Sequence, residues 1–416
     1  MNQKILHTPD GVRDIYGDEC ERKQILEGRL HQVLASYGYR DIETPTFEFF
    51  DVFGRDVGTT PSKDLYKFFD REGNTLVLRP DFTPSIARAA SRYFQNTDGP
   101  VRLDYVGNTF VNHQGLTGRL RESTQMGAEL IGEPSADGDA EVIAMAVAAL
   151  TASGLRDFQI SVGHVGFFEA LASEAGIDEE TEARLRALIH NRNTFGVRKL
   201  LAEKEISGKI GDIFIALPTL VGSDCLTKAS QMSLGLKAHQ AVARLLDVHT
   251  LLEGYGVAEH VSFDLAMISQ KMYYTGIIFR GYTYGTGEAV VKGGRYDNLL
   301  GHFGKDAPSV GFVIVVNQLL NALARQKIEI LPEHERYLIL YTKAARREAI
   351  AKAVAYRKQG KYTETWCVES EAVPGTGAVP GTAAVSGTGE SLAALAARLR
   401  AAGRYASVIT IGEEDR

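Results

Sequence analysis

The chain has 416 residues, more than one hydrophobic core usually supports, so two or three domains are expected. It is 44% hydrophobic and 24% charged, a globular composition, and 46 Lys+Arg against 52 Asp+Glu leave a net charge of −6. That balance excludes a globally basic nucleic-acid coat while leaving room for a local basic patch. No run of 18 apolar residues escapes charge, which excludes a spanning helix, and the N-terminal residues turn polar too soon for a signal peptide. Cys20, Cys225 and Cys367 are far apart and form no CxxC pair. They read as reduced thiols, so a cytoplasmic protein is expected, with neither a disulfide scaffold nor a cysteine zinc site.

In chain order, Ile25, Leu26, Leu30, Val33 and Leu34 recur at helical spacing and predict a helix over 20–36, stopped by Gly38. Residues 40–44 read as a short extended piece ended by Pro45. Residues 75–78 alternate like a strand, and Thr83-Pro84 then opens a helix, a capping hydroxyl followed by proline at the first helical position. Strands follow at 104–110 and 125–131, a long Ala-rich helix from about Gly138 to Gly154, and a strand at 158–162. From about 166 to 255 the pattern is helical. Strands return at 262–267 and 273–283, and Gly285-Thr286-Gly287 turns the chain back through 288–292 as a hairpin. A helix over 317–325 closes this part. Antiparallel strands interrupted by a helical insertion predict an α+β core and argue against a βαβ-wound sheet.

A boundary near Leu331-Pro332 precedes a different rhythm: strand 337–341, helix 345–358, strand 363–368, helix 391–402 and strand 406–411. This alternation predicts a small α/β domain over 331–416 with a parallel component. The hexad near-repeat VPGTGA-VPGTAA-VSGTGE at 373–390 is too poor in apolar surface to offset its ordering entropy and is expected to be a flexible loop.

Polar groups cluster at four strand ends: 78–84, 118–129, 272–276 and 292–297. Gln125 and Glu129, four apart in a strand, share a face. With Asp81 they offer two carboxylates and an amide, a set that suits an ammonium or imidazole N–H, and equally describes solvated strand residues. Tyr273 and Tyr274 on a strand point to opposite faces, so at most one is expected to line any one pocket. Gly293-Gly294 marks either a close backbone approach or a bulge. The chain contains no P-loop, GxSxG elbow or HExxH, and the run GYTYGTGEA lies in a hairpin and so is no dinucleotide fingerprint. Neither a metal site nor a cofactor is expected from these spacings.

Together these segments resemble histidyl-tRNA synthetase, a class II synthetase, over most of residues 1–330. Pro9 to Asp14 looks like the family's N-terminal PxGxRD, and Gly38 to Pro45 like motif 1, the dimer-forming helix and strand. Residues 78–83 and 110–132 look like the histidine loop and motif 2, 267–276 and 293–297 like the histidine-specific strand and its partner, and 308–312 like the opening of motif 3. The resemblance implies a class II antiparallel sheet with flanking helices, a helical insertion, and a shortened C-terminal domain similar to the anticodon-binding one. It implies a histidine pocket formed by Asp81, Thr83, Gln125, Glu129, Tyr273, Tyr274 and Tyr296.

Three departures stand out. The motif 2 arginine of FRxE is replaced by Val111, the arginine of LVRGLDYY by Ser269, and the motif 3 arginine by Gln318. Adenylation brings a triphosphate and a carboxylate nucleophile into one pocket and needs fixed cations there. Losing one such group costs about 2.7–4 kcal/mol in the transition state. Half of a summed loss of roughly 8–12 kcal/mol still slows the step about a thousandfold. The site is therefore expected not to adenylate.

A synthetase-like chain eroded in this way, with its RPDxTP loop, resembles the family of ATP phosphoribosyltransferase regulatory subunits. That family pairs with a short catalytic subunit at the first step of histidine biosynthesis, is needed for its activity, and conveys feedback by histidine. The resemblance thus implies a short-form catalytic partner, a synthetase-like self-dimer and L-histidine as effector, with no catalytic residues, membrane contact or nucleic acid. Histidine then has three candidate locations: this pocket, an intersubunit site, or the partner alone. The rival readings are a working histidyl-tRNA synthetase and a synthetase-derived RNA-binding or sensor module.

Overall fold

The structure, a computed structural model, describes residues 6–54, 60–113, 120–222, 224–232, 234–268, 273–331, 334–368 and 391–412. Two compact units result, Met1–Ile330 and Leu331–Arg416.

In the larger unit, α1 (Gly17–Ser36) buries Leu26, Leu30 and Leu34, successive turns of one face, and ends where Gly38 takes a φ of +84°. The chain then forms β1 (Arg40–Asp41), β2 (Phe47–Phe49), β3 (Lys67–Phe69) and β4 (Thr75–Leu78). β2, β4 and β3 make a small antiparallel sheet. After α2 (Thr83–Tyr93) come two ten-residue antiparallel strands, β5 (Val101–Phe110) and β6 (Glu122–Ile131). α3 (Ala136–Ala152) is rich in alanine and packs nearly all its length inside, as its lack of a polar stripe requires. β7 (Phe158–His164) leads into helices α4 (Val165–Glu174), α5 (Glu179–His190), α6 (Thr194–Glu203) and α7 (Gly208–Ala216). A two-residue strand, β8 (Val221–Gly222), separates these from α8 (Cys225–Ser230) and α9 (Leu236–Gly254). β9 (Val261–Asp264), β10 (Ile277–Thr283), β11 (Val291–Arg295), β12 (Ser309–Val315) and α10 (Val316–Arg325) complete the unit.

Its main sheet has nine strands in the order β1-β5-β6-β12-β11-β10-β7-β9-β8, with β1–β5 and β7–β9 parallel and the other pairs antiparallel. One continuous core joins α1, α3, the sheet and the helices of the insertion. The helix expected to be capped by Thr83 does begin there, but Phe82 is the cap residue and no side chain caps it. The Thr83 hydroxyl is engaged elsewhere. The strand expected from residue 273 starts at Ile277 instead, and the return strand runs to Arg295. Gly293 and Gly294 sit in regular register against Phe279 and Ile278, so no bulge forms. A Cβ on Gly294 would come within 2.7 Å of the Tyr274 ring, and the glycine serves that close approach.

In the smaller unit, β13 (Arg336–Tyr341), α11 (Arg346–Lys358), β14 (Tyr362–Cys367), α12 (Leu392–Ala401) and β15 (Ser407–Ile411) form a parallel sheet in the order β14-β13-β15. The Gly/Pro/Thr loop at 373–390 lies outside the described residues.

Candidate ligand pocket

Glu129 lies in β6, beside Gly311 of β12, where a Cβ would collide with its carboxylate. It is 1% exposed. A carboxylate so far from water needs donors, and it has them: Thr83 Oγ1 donates to Oε1 at 2.8 Å, and the Tyr296 hydroxyl donates to Oε2. Burial, and next the Glu129 charge, push the Tyr296 phenol well above its ordinary range and keep it a donor. The Thr83 N–H points at Asp81 Oδ1 over a long 3.4 Å, and both residues are buried.

These groups enclose a cavity of about 10 Å3, room for roughly one water. Asp81, Thr83, Glu129, Tyr273, Tyr274 and Tyr296 all line it. The Tyr273 ring lies 4.7 Å from that of Tyr274 and meets Tyr296 edge-on at 5.8 Å. Both neighbouring tyrosines therefore face one cavity, contrary to the alternation expected of them. The reason is that residues 273–276 precede β10, so the two-residue period of a strand does not govern them. Gln125 shares the Glu129 face as expected but does not line the cavity, being four strand residues, roughly 13 Å, further along. Its Oε1 is buried and accepts no hydrogen bond among the described residues.

Lys292 also lines the cavity, as do Gly294 and the β12 residues Gly311, Phe312 and Val313. Lys292 and Gly294 are two apart in β11 and so share a face, which brings this cation to the cavity.

Of the positions where the synthetase pattern expects arginines, Val111 follows β5, its N–H donating to the Arg121 carbonyl at 2.9 Å. Gln318 lies half-buried in the first turn of α10, next to Asn317, whose Oδ1 accepts the Thr124 N–H at 2.6 Å. Both are neutral. Ser269 lies outside the described residues.

The family model for histidyl-tRNA synthetase matches residues 11–319. A curated relative from Acetivibrio thermocellus, named ATP phosphoribosyltransferase regulatory subunit, is 38% identical over 365 residues, covering 88% of this chain and 87% of that one. The chain belongs to the ATP phosphoribosyltransferase regulatory subunit family. A crystal structure from Bacillus halodurans C, described as an ATP phosphoribosyltransferase regulatory subunit/histidyl-tRNA synthetase, superposes with a TM-score of 0.83 at 30% identity, covering 99% of each chain. Histidyl-tRNA synthetase from Nostoc shares the fold at a TM-score of 0.73 and 22% identity, with 87% of this chain and 86% of that one covered. The class II synthetase-like α+β fold inferred from the motifs is thus the fold of this regulatory-subunit family member. No helix among the described residues is long and apolar enough to cross a membrane.

The larger opening in this family member, about 750 Å3, lies on the other face of β11, between the N-terminal end of α3 and helices α4 and α9. Its wall holds a buried ion network: Arg295 Nε donates to Asp139 Oδ1 at 2.8 Å, and Arg244 Nε to Asp139 Oδ2 at 2.7 Å. His164 also lines it; burial, with the charges of Arg244 and Arg295 adding to it, lowers its imidazole to about 4, so the ring is neutral at pH 7. Size alone would favour this cleft as the functional site. The small cavity is the stronger candidate, because there carboxylate, hydroxyl and phenol groups converge on one point.

Proposed function

We propose that the chain is the noncatalytic partner of a short catalytic ATP phosphoribosyltransferase subunit. In this reading it is required for that subunit's activity in the first step of histidine biosynthesis and carries histidine feedback to it. Family membership supplies the regulatory role. The observation that carries the finer reading is the small cavity, which keeps the acids and phenols of a histidine pocket while neutral residues stand at Val111 and Gln318.

An adenylating site needs cations where the triphosphate charge redistributes, and these positions supply none. Asp81 and Glu129 instead suit an ammonium and an imidazole N–H, and Lys292 supplies a cation for a carboxylate. At about 10 Å3 the cavity has to open before histidine fits. The parts free of strand constraint are Tyr273 and Tyr274, so histidine selects a state in which those rings have moved. Its higher affinity for that state is the free energy available to bias the partner. Self-association through α1 and the β1 edge follows the synthetase pattern.

The test combines the purified chain with a short catalytic subunit and measures rate and histidine response, then repeats both with Glu129→Ala. An unchanged rate and response relative to the catalytic subunit alone would overturn the proposal. Robust histidine-dependent pyrophosphate exchange into ATP would establish the synthetase rival, and a salt-sensitive complex with tRNA the RNA-binding one.

A further inference from the structure

The face of the main sheet that bounds the small cavity carries a second set of polar groups. Strand register places Ser161 of β7, Arg280 of β10, Lys292 of β11 and Val313 of β12 side by side in one row, and Ser262 of β9 continues it beyond Ser161. Their chain neighbours Val162, Phe279, Val291 and Phe312 turn into the core, so this row looks the other way. Arg280 is half-buried and Lys292 is exposed. Two cations directly opposite on neighbouring strands stand about 4.5–5.5 Å apart at Cβ and repel each other. No carboxylate comes between them and the next strands: Ser161 and Ser262 follow in the row, their hydroxyls 3.3 Å apart, and the diagonal neighbours of Arg280 on β7 are Gln159 and Gly163. Arg280 has neither a hydrogen-bond nor an ion-pair partner among the described residues. The acids that the strands contribute to this face are engaged elsewhere, Glu129 by Thr83 and Tyr296, and Asp264 by Arg192.

We propose that Arg280 and Lys292 form a binding site for the phosphoryl group of a small molecule, with pyrophosphate as the reference ligand. A phosphoryl group carries about −1.5 to −2 charge at pH 7, which two adjacent cations match and a single carboxylate does not. The guanidinium fork bonds two of its oxygens at once, the ammonium adds a point charge, and the neighbouring serine hydroxyls donate to a third. The pair replaces none of the arginines of the synthetase pattern, since Val111 follows β5 and Gln318 lies in α10, whereas these cations stand on β10 and β11. Lys292 also lines the small cavity, and its long stem reaches either ligand; Arg280 lies outside that lining and answers the anion alone. Residues 280 and 292 meet only through the register of the hairpin, so residue order shows no basic motif there.

The test titrates pyrophosphate into the full chain by calorimetry at low salt, in a buffer free of phosphate and sulfate, with acetate in parallel. One pyrophosphate per chain is expected, with acetate at least about tenfold weaker, and with the dissociation constant raised at least about tenfold in both Arg280→Gln and Lys292→Gln. Lys199→Gln, which removes a 70% exposed cation from α6, is expected to bind as the wild type does. Arg280→Gln takes no partner from any described residue, so that variant folds. The proposal is overturned if pyrophosphate does not bind, if acetate binds as tightly, or if either sheet variant binds with unchanged affinity. It is overturned too if Lys199→Gln weakens binding as much, which marks diffuse attraction to surface charge. It is equally overturned if pyrophosphate fails to bind while Arg280→Gln abolishes association with a short catalytic subunit; the pair then docks acidic side chains of that partner.

Discussion

Replacing Tyr296 by phenylalanine tests the anchor of the small cavity with little change of shape. The ring stays, and the hydroxyl that donates to Glu129 is lost. Because the acceptor is a carboxylate at 1% exposure, the bond belongs to the charge-assisted class, worth about 1.5–3 kcal/mol. The unit that contains it spans Met1–Ile330. At about 2.1 cal/mol/K per residue its unfolding entropy is near 0.7 kcal/mol/K, so Tm should fall by roughly 2–4 °C at pH 7. Scanning calorimetry reads this directly. The pH dependence gives a second signature. Since the folded phenol titrates above its unfolded value, its stabilisation is complete below about pH 10 and is lost as pH rises beyond it; Tyr296→Phe removes that alkaline loss. A Tm unchanged within half a degree, with the same alkaline profile, would refute the assignment of this bond as a structural anchor.

His164 should destabilise the protein on the acid side. Its folded imidazole titrates at about 4 against about 6.5 unfolded, so stability is full above pH 6.5 and drops by about 3 kcal/mol as pH falls to 4, a drop that His164→Gln flattens in urea titrations run across that range. Arg295→Met leaves Asp139, which has no exposed surface, without one of its two guanidinium partners, and an unfolding free energy lower by about 3–5 kcal/mol is expected by chemical denaturation. Gly311→Ala drives a methyl group into the Glu129 carboxylate; a loss of about 1–3 kcal/mol, read as a lower denaturation midpoint, is expected together with loss of histidine binding.

Residue order marks the strand-end polar clusters but leaves solvated strand residues as an equal reading, and only the resemblance to histidyl-tRNA synthetase singles out the set. Asp81, Thr83, Glu129 and Tyr296 line one cavity, the grouping that the resemblance implies. The failures have local causes. The period that puts Tyr273 and Tyr274 on opposite faces applies only inside a strand, and they precede one. Gln125 obeys the period but sits too far along β6, since a shared face does not imply a shared site. Thr83 carries a helix-capping signature, yet its hydroxyl serves a buried carboxylate whose need for a donor outweighs a cap. The role of Gly311 depends on the β6–β12 register, which no local pattern contains. Fold class was more legible than site detail because helix and strand periodicities repeat over many residues, while a site turns on single contacts.

The position of Arg295 and Tyr296 has one further consequence. Adjacent in the chain, they face opposite ways: the guanidinium is fixed to Asp139 at the mouth of the large cleft, and the phenol to Glu129 behind the small one. A single peptide unit thus forms a lever with both arms loaded. A backbone shift at this unit would disturb both anchors, and through Asp139 the first turn of α3 and Arg244 of α9. In the proposed function, a ligand no larger than an amino acid would therefore bind one peptide bond away from the ion pair that faces the helical insertion.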